Sequence, residues 1–269
     1  MKKLLSLVMI ITLVIAGLYA GGGKESTSEP VAAPAVESAG TVTSSGNVKS
    51  AEVQENVKYK DTVIIGIAND VNNLNPQGSN TDANMMVFYL THERLVNIDP
   101  DTGKVIPALA TEWTVSADGC VYDFTIAEGA TFTDGTPLTA EDVKYTYDKA
   151  KESSFAAQKV ADVISTEVID STHIRVTLKK ANQDWLTLMA HGGMSIMSKA
   201  ACEKDPTNGP RLGSGMFSLE EWVPGSHCSF VRYDGYRDGA APTRRIVMKL
   251  YKEASTRLIA LQTGEIDVC

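Results

Sequence analysis

Apolar positions along this chain change their spacing several times, and each change marks a predicted element. Leu4 to Leu18 is almost continuously apolar behind Lys2 and Lys3. Val63 to Ala68 is a short run rich in β-branched residues, bounded by Asp61 and Asn69, and reads as a buried strand. Asn69 to Thr81 is crowded with Asn, Asp, Gly and Pro and predicts a loop. Ala83, Met86, Val87 and Leu90 then recur at helical spacing, with Asp82 placed to cap the helix. A strand, a polar loop and a helix in that order make the loop a candidate to face a ligand.

Further on, Tyr122, Phe124 and Ile126 alternate with Val121, Asp123 and Thr125, and Thr131 to Thr133 is expected to continue that strand beyond the Glu128-Gly129 turn. Asp134 to Pro137 is a second turn. Thr139 to Lys151 reads as a helix, with Thr139 at the cap and Glu141 and Asp142 in its positive first turn. Ile174, Val176 and Leu178 alternate as a strand with one wet side. Ala181 to about Cys202 reads as helical at both ends and broken near Gly192-Gly193. Phe217–Trp222 and Cys228–Tyr233 form a predicted hairpin around Pro224-Gly225-Ser226. Ile246–Tyr251 is another buried strand, and Ala254–Thr263 a helix stopped by Gly264. Glu265 to Cys269 opens one more strand, from which the sequence is expected to be a fragment of a longer chain.

Composition divides the chain into three. A charged start, an apolar run and small residues at Ala16, Gly17 and Ala20 describe a secretory signal over residues 1–20. That run falls short of the roughly 20 apolar residues a bilayer core requires. Gly21 to Gly23 stand at its exit without a Cys, so a lipid anchor is not expected. Residues 21–57 are rich in Ala, Ser, Val, Glu, Pro and Gly, a composition that cannot bury enough apolar surface to order itself. They are expected to form a flexible tether. Residues 58–269 have the composition of a globular chain, long enough for one large domain. The net charge is −8, or −10 once Lys2 and Lys3 are removed, and no Lys/Arg cluster occurs. Nucleic acid and anionic membrane surfaces, which select basic patches, are therefore not expected partners. Cys120, Cys202, Cys228 and Cys269 are widely spaced and are expected to be free, buried or half-buried thiols.

The sequence offers no catalytic pattern. Gly213-Ser214-Gly215 lacks the flanking glycines of a serine nucleophile elbow, because Leu212 and Met216 occupy those places. His92, His173, His191 and His227 are scattered, and neither a phosphate-binding loop nor a metal signature is present. Asp134 and Asp142 are explained by a turn and a helix first turn. No enzyme, cofactor or metal is expected.

A chain of motifs is more specific. Ile106-Pro107-Ala108-Leu109-Ala110-Thr111-Glu112-Trp113 leads into Ser116-Ala117-Asp118-Gly119 and Tyr122-Asp123-Phe124. Phe132 through Val143 follows, then the Gly213–Gly215 turn before Phe217 and Trp222, Arg232 to Tyr236, and Ala254 to Leu258 through Gly264-Glu265-Ile266-Asp267. From about Val63 to Cys269 this order resembles the family 5 extracellular solute-binding proteins of ABC importers, the dipeptide, oligopeptide and nickel binders. Met216, where the family often has Pro, and Arg237, where it usually has Trp, depart from the pattern and are expected to shift local packing.

The resemblance implies an α/β fold of the periplasmic-binding-protein type, a class II clamshell. This chain would supply most of lobe one with a β-rich subdomain, and the second lobe would be missing. It implies a monomeric, periplasmic protein that captures a peptide or other small solute and delivers it to ABC permease subunits. A non-transport signalling module on the same fold is the alternative, with a secreted hydrolase behind it. Relatives line their cleft just after a triplet that matches Leu74-Asn75-Pro76, which maps to Ser79, Asn80, Thr81 and Asp82. Asp82 either accepts hydrogen bonds from a ligand or caps its helix. Phe155 falls near an aromatic wall position of those relatives, or else is a core residue under a loop. Ser214 sits in a Gly-flanked turn that either lets a ligand approach the backbone or is purely structural.

Overall fold

The computed structural model describes residues 58–269. The expected signal (1–20) and tether (21–57) lie outside the described residues. Two four-stranded sheets, each with its own apolar core, carry the fold. The first follows the order β1 (Thr62–Ile67), β10 (Arg245–Leu250), β9 (His227–Arg232), β8 (Phe217–Val223). β1 runs parallel to β10, while β10–β9 and β9–β8 are antiparallel. The second is wholly antiparallel, in the order β4 (Ala110–Val115), β5 (Val121–Ile126), β7 (His173–Leu178), β6 (Val163–Val168). A two-stranded ribbon, β2 (Val96–Ile98) and β3 (Val105–Pro107), stands between them in sequence.

The helices cover these sheets. α1 (Asp82–Thr91) buries Ala83, Met85, Val87 and Phe88 in the core of the first sheet. α2 (Ala140–Ala150) lays Val143 and Tyr147 on the core of the second. Short helices α3 (Trp185–Met189) and α4 (Lys199–Lys204) are separated by a 3₁₀ turn, Gly192–Met194. α5 (Ala254–Gln262) follows β10, and the segment after it returns along the free side of β1, with Gly66 N donating to Val268 O at 2.7 Å. The second core is aromatic: Trp185 packs 4.6 Å from Tyr122 and 6.1 Å from Phe124, centroid to centroid. Each such side chain removed from water contributes about 1.5–3 kcal/mol. No helix among the described residues is long and apolar enough to cross a membrane.

Several expectations need correction. Thr131–Thr133 does not continue β5. Thr131 forms only an isolated bridge to Pro137, which has no N–H to extend a ladder. The turn between them is as predicted, with Gly135 at φ +85° and the Asp134 carboxylate accepting from Thr136 N at 2.9 Å. The helix expected from Ala181 begins at Trp185. β4 and β6 escaped the reading of alternation because each carries a bulge, between Ala110 and Glu112 and between Val163 and Ser165. An extra residue there breaks the period of two on which the reading depends. The cysteines are free, with Cys202 and Cys228 buried and Cys120 half-buried; Cys269 is exposed.

Asp142 ties the first turn of α2 to the chain beyond it. Its buried carboxylate accepts from Thr139 N (2.9 Å) and Thr139 Oγ1 (3.2 Å), and its other oxygen accepts from Lys199 N (2.9 Å) at the start of α4. Removing it leaves two backbone donors without a partner. Asp142→Ala should therefore destabilise the protein by about 2–3 kcal/mol in urea unfolding. Glu141→Ala removes only an exposed pair with Lys199 and should stay within about 0.5 kcal/mol. Equal effects of the two would show that the cap does not anchor α4.

Candidate functional site

β1 and β10 end side by side, because parallel pairing puts both carboxyl ends at one edge of the sheet. Open α/β sheets bind ligands at that edge. The loop 68–81 leaves β1 there, and the Pro224–Ser226 turn of the β8–β9 hairpin meets it, with Gly225 N donating to the Asp70 carboxylate at 2.7 Å. Trp222 Nε1 donates to Val71 O at 2.9 Å. The loop is thus fastened at its start to the hairpin.

Its far end is fastened to α1 by one side chain. Asn84 is fully buried, and its Oδ1 accepts from Asn72 N (3.4 Å) and from Thr81 Oγ1 (2.6 Å), while its Nδ2 donates to Asn73 O. Thr81, not Asp82, is the N-cap: its hydroxyl accepts from Asn84 N at 3.4 Å. Asp82 is displaced into the first turn of the helix and is exposed. Ser79 is 6% exposed, and its hydroxyl accepts from Thr81 N at 3.3 Å, so it shapes the turn into the helix. Asn80 is exposed and reaches the Phe155 carbonyl at 3.5 Å.

The segment after α2 closes against the same loop. Ser153 Oγ donates to Gln77 O at 2.7 Å, and Gln77 Nε2 donates to Thr146 O at 2.8 Å. This sets Phe155 beside Asn80 with 44% of its surface open to solvent. Phe155 is therefore not a core residue under a loop. The structure brings Asn80 and Phe155 together, while Ser79 and Thr81 shape the turn and the cap and Asp82 is exposed on the helix that follows.

Ser214 is elsewhere. Gly213, Ser214 and Gly215 pack under the last turn of α1, with Gly215 N donating to Thr91 O at 2.9 Å. A β-carbon on Gly213 would lie 1.9 Å from Thr91 O, and one on Gly215 2.6 Å from Leu90 O. The close approach that these glycines permit is to the helix. Ten residues of α1, about 15 Å, separate this turn from Thr81. Ser214 is 1% exposed, its hydroxyl without a hydrogen-bond partner among the described residues. It faces a water-sized cavity shared with Glu93, Tyr236 and Arg237.

That corner explains one departure in sequence. Arg237 donates to the buried Glu93 carboxylate at 2.5 Å and to Ala108 O at 3.0 Å, and Tyr236 donates to the same carboxylate at 3.2 Å. Burial raises the Glu93 carboxyl above its ordinary range, and Arg237 opposes that rise. Arg237 thus forms a charge pair with Glu93 at this position.

Sequence reasoning also missed the groups beside the loop. The 191–193 turn leans on α1, where Gly192 N donates to Tyr89 Oη at 3.2 Å, and the Arg94 guanidinium lies 4.6 Å over the Tyr89 ring. Arg94 is buried with neutral acceptors, Asn97 Oδ1 and His92 O. Lys159 Nζ donates to Phe155 O at 3.1 Å. These residues lie in no motif, and only the fold assembles them. No group of His, Cys, Asp and Glu among the described residues is arranged to hold a metal ion.

Comparison with known proteins identifies the family and the fold. Residues 104–269 match the family model described as "Bacterial extracellular solute-binding proteins, family 5 Middle". The probable D,D-dipeptide-binding periplasmic protein DdpA of Escherichia coli K12 is 28% identical over 221 residues, covering 78% of this chain and 43% of its own. The glutathione-binding protein GsiB of the same strain is 27% identical, covering 76% and 41%. The chain thus spans about two fifths of the length of the curated relatives it matches. Among solved structures, MoaA of A. tumefaciens R10 in complex with mannopinic acid superposes with a TM-score of 0.72 at 26% identity, over 78% of this chain and 44% of that one. DppA of Helicobacter pylori in complex with peptide STSA shares the fold, with a TM-score of 0.69 at 23% identity over 78% and 46%. The fold is that of the periplasmic binding proteins.

His92 supplies a pH test of the α1 junction. Its Nε2 lies 3.1 Å from Pro210 O and its Nδ1 2.8 Å from Thr91 Oγ1. Burial first, then the Arg94 charge, lowers its pKa from 6.5 to about 4, with the Pro210 carbonyl opposing. The unfolded chain therefore binds a proton between those values that the folded chain does not. Stability should be full above pH 6.5 and fall as the pH drops towards 4, by about 3 kcal/mol from this residue. Urea midpoints measured from pH 7 to 5 should slope for the natural chain and less steeply for His92→Gln, the difference between the two isolating this residue. Parallel slopes would contradict this account.

Proposed function

The chain belongs to the bacterial extracellular solute-binding proteins of family 5, and we propose that it acts as a substrate-binding component of an ABC importer, capturing peptides or a similar small solute outside the inner membrane. The observation that carries this reading is the loop 69–81. It leaves the carboxyl end of β1, is held by Asn84, and exposes Asn80 beside the exposed Phe155, with Asp82 exposed at the start of α1. Rigid backing with an exposed aromatic and exposed polar termini is what recognition of an extended, polar chain requires. Two relatives carry names that specify small peptide-like ligands, a D,D-dipeptide and glutathione. Export and delivery to permease subunits follow from the same proposal. The buried Ser214 lies under the last turn of α1, in a cavity it shares with Glu93.

The face is open to solvent, so water competes for each hydrogen bond it makes. Binding to it alone is expected to be weak, with Kd near the millimolar range, about −4 kcal/mol. Amide NMR of the full chain titrated with a pool of di- to pentapeptides should give saturable shifts confined to residues 72–82 and 153–160. Shifts located instead around Ser214, or none up to tens of millimolar peptide, would overturn the proposal.

A further inference from the structure

The corner where Glu93 follows α1 is a joint between the two sheets. Segment 233–237 comes off β9 of the first sheet, and its side chains reach groups that flank the second. Arg237 donates to Glu93 and to Ala108 O, between β3 and β4, and Tyr236 donates to Glu93 as well. Tyr233 Oη lies 3.2 Å from Thr131 Oγ1, next to Ala130 of the second core.

Glu93 is only half satisfied in this joint. Arg237 and Tyr236 both donate to Oε1, and Oε2 receives no hydrogen bond among the described residues. A buried carboxylate with one bare oxygen is costly to keep charged. Ser214 lines the same cavity and is 1% exposed. Its hydroxyl is near enough to act on the Glu93 carboxyl, yet makes no hydrogen bond of ordinary geometry. A hydroxyl has two lone pairs with which to accept. Arg237, for its part, has a second partner: its Nη2 lies 3.5 Å from the exposed Asp238 carboxylate. One guanidinium thus stands between a buried carboxylate and a surface one.

Burial holds the Glu93 carboxyl above its ordinary 4.5, against Arg237, Tyr236 and Ser214, which lower it. The other charged or titratable neighbours are Arg94, which feels both Glu93 and Tyr236, His92, Tyr233 and Asp238. Asp234 is paired with Arg232 at 2.6 Å. The segments 107–110, 130–131, 192–197 and 213–215, which meet this corner, carry no titratable side chain.

We propose that Glu93 is a proton-binding site built into the joint: in acid it takes a proton from water on Oε2, donates that hydrogen to the Ser214 hydroxyl, and releases Arg237 to Asp238. Oε1 keeps the Tyr236 hydrogen bond, and the charge lost at Glu93 is replaced at the surface by the Arg237–Asp238 pair. Segment 233–238 is then held against the second sheet by fewer contacts. The folded chain binds this proton more tightly than the unfolded one. Its contribution to stability therefore grows as the pH falls through the folded pKa, opposite in sign to that of His92.

Carbon NMR of the full chain from pH 7.5 to 4 reads the Glu93 carboxyl directly. It should titrate above 4.5. Over the same interval the Arg237 side-chain N–H groups should exchange with water about tenfold faster, after correction for the intrinsic pH dependence, while the amides of β9 stay unchanged. Glu93→Gln, neutral at every pH, should show the fast Arg237 exchange already at pH 7.5. Relative to that variant, the natural chain should gain stability in urea as the pH falls; parallel profiles would overturn the proposal. A Glu93 carboxyl that titrates at or below 4.5 overturns it too. So does an Arg237 exchange rate that ignores the Glu93 titration, and both of these are read on the natural chain, whether or not the variant folds.

Discussion

The amide of Asn84 is the interaction on which this face depends. It sits fully buried on the first turn of α1 and joins three points of the preceding loop: Asn72 N, Asn73 O and Thr81 Oγ1. A buried amide must satisfy both its donors and its acceptor or lose stability. Here the oxygen accepts twice and the nitrogen donates to Asn73 O, which ties a polar, glycine-containing loop to the helix. Gln77 adds a tie to Thr146 O, and Asp70 one to Gly225 N. Ser79 and Asn75 shape only the turns they occupy, the latter by accepting from Gln77 N at 2.9 Å.

α1 carries that constraint across the molecule. Its first turn holds the loop, its apolar side fills the core of the first sheet, and its last turn rests on the Gly213–Gly215 turn at a distance only glycine permits. The face at one end and the charged corner of Glu93, Tyr236 and Arg237 at the other are thus coupled through ten residues of rigid helix. Packing of this density transmits displacement instead of absorbing it. The corner is built on the Glu93–Arg237 ion pair, whereas the face is open to solvent at Asn80 and Phe155. That contrast separates structure from recognition better than residue type does.

The strands with clean alternation and the capped helix α2 were legible in the sequence, as was the hairpin around Gly225, because each is set by residues near one another along the chain. Bulged β4 and β6 were not, since one inserted residue cancels the signal. Of the candidate site, the loop itself was legible from its composition and the motif that follows β1. Asp82 was taken as the cap because an acidic residue at the start of a helix does either task; the hydrogen bond to Thr81 decides it. Ser214 drew notice for its flanking glycines, whose purpose is helix contact. Arg94, Lys159 and His191 were invisible for a simpler reason. They come from segments 32 to 97 positions apart along the chain, and no local spacing links them.

If the loop is a binding wall set in place by Asn84, loosening that one amide should weaken recognition without dissolving the fold. Asn84→Ala removes the anchor and leaves both cores intact. The decisive measurement is peptide titration of this variant beside the natural chain, with hydrogen exchange on residues 72–81 to report the loop. The account predicts faster exchange confined to that loop and at least a tenfold loss of affinity, about 1.4 kcal/mol or more, at a near-native sheet signal. Faster exchange in the loop with unchanged affinity would contradict it.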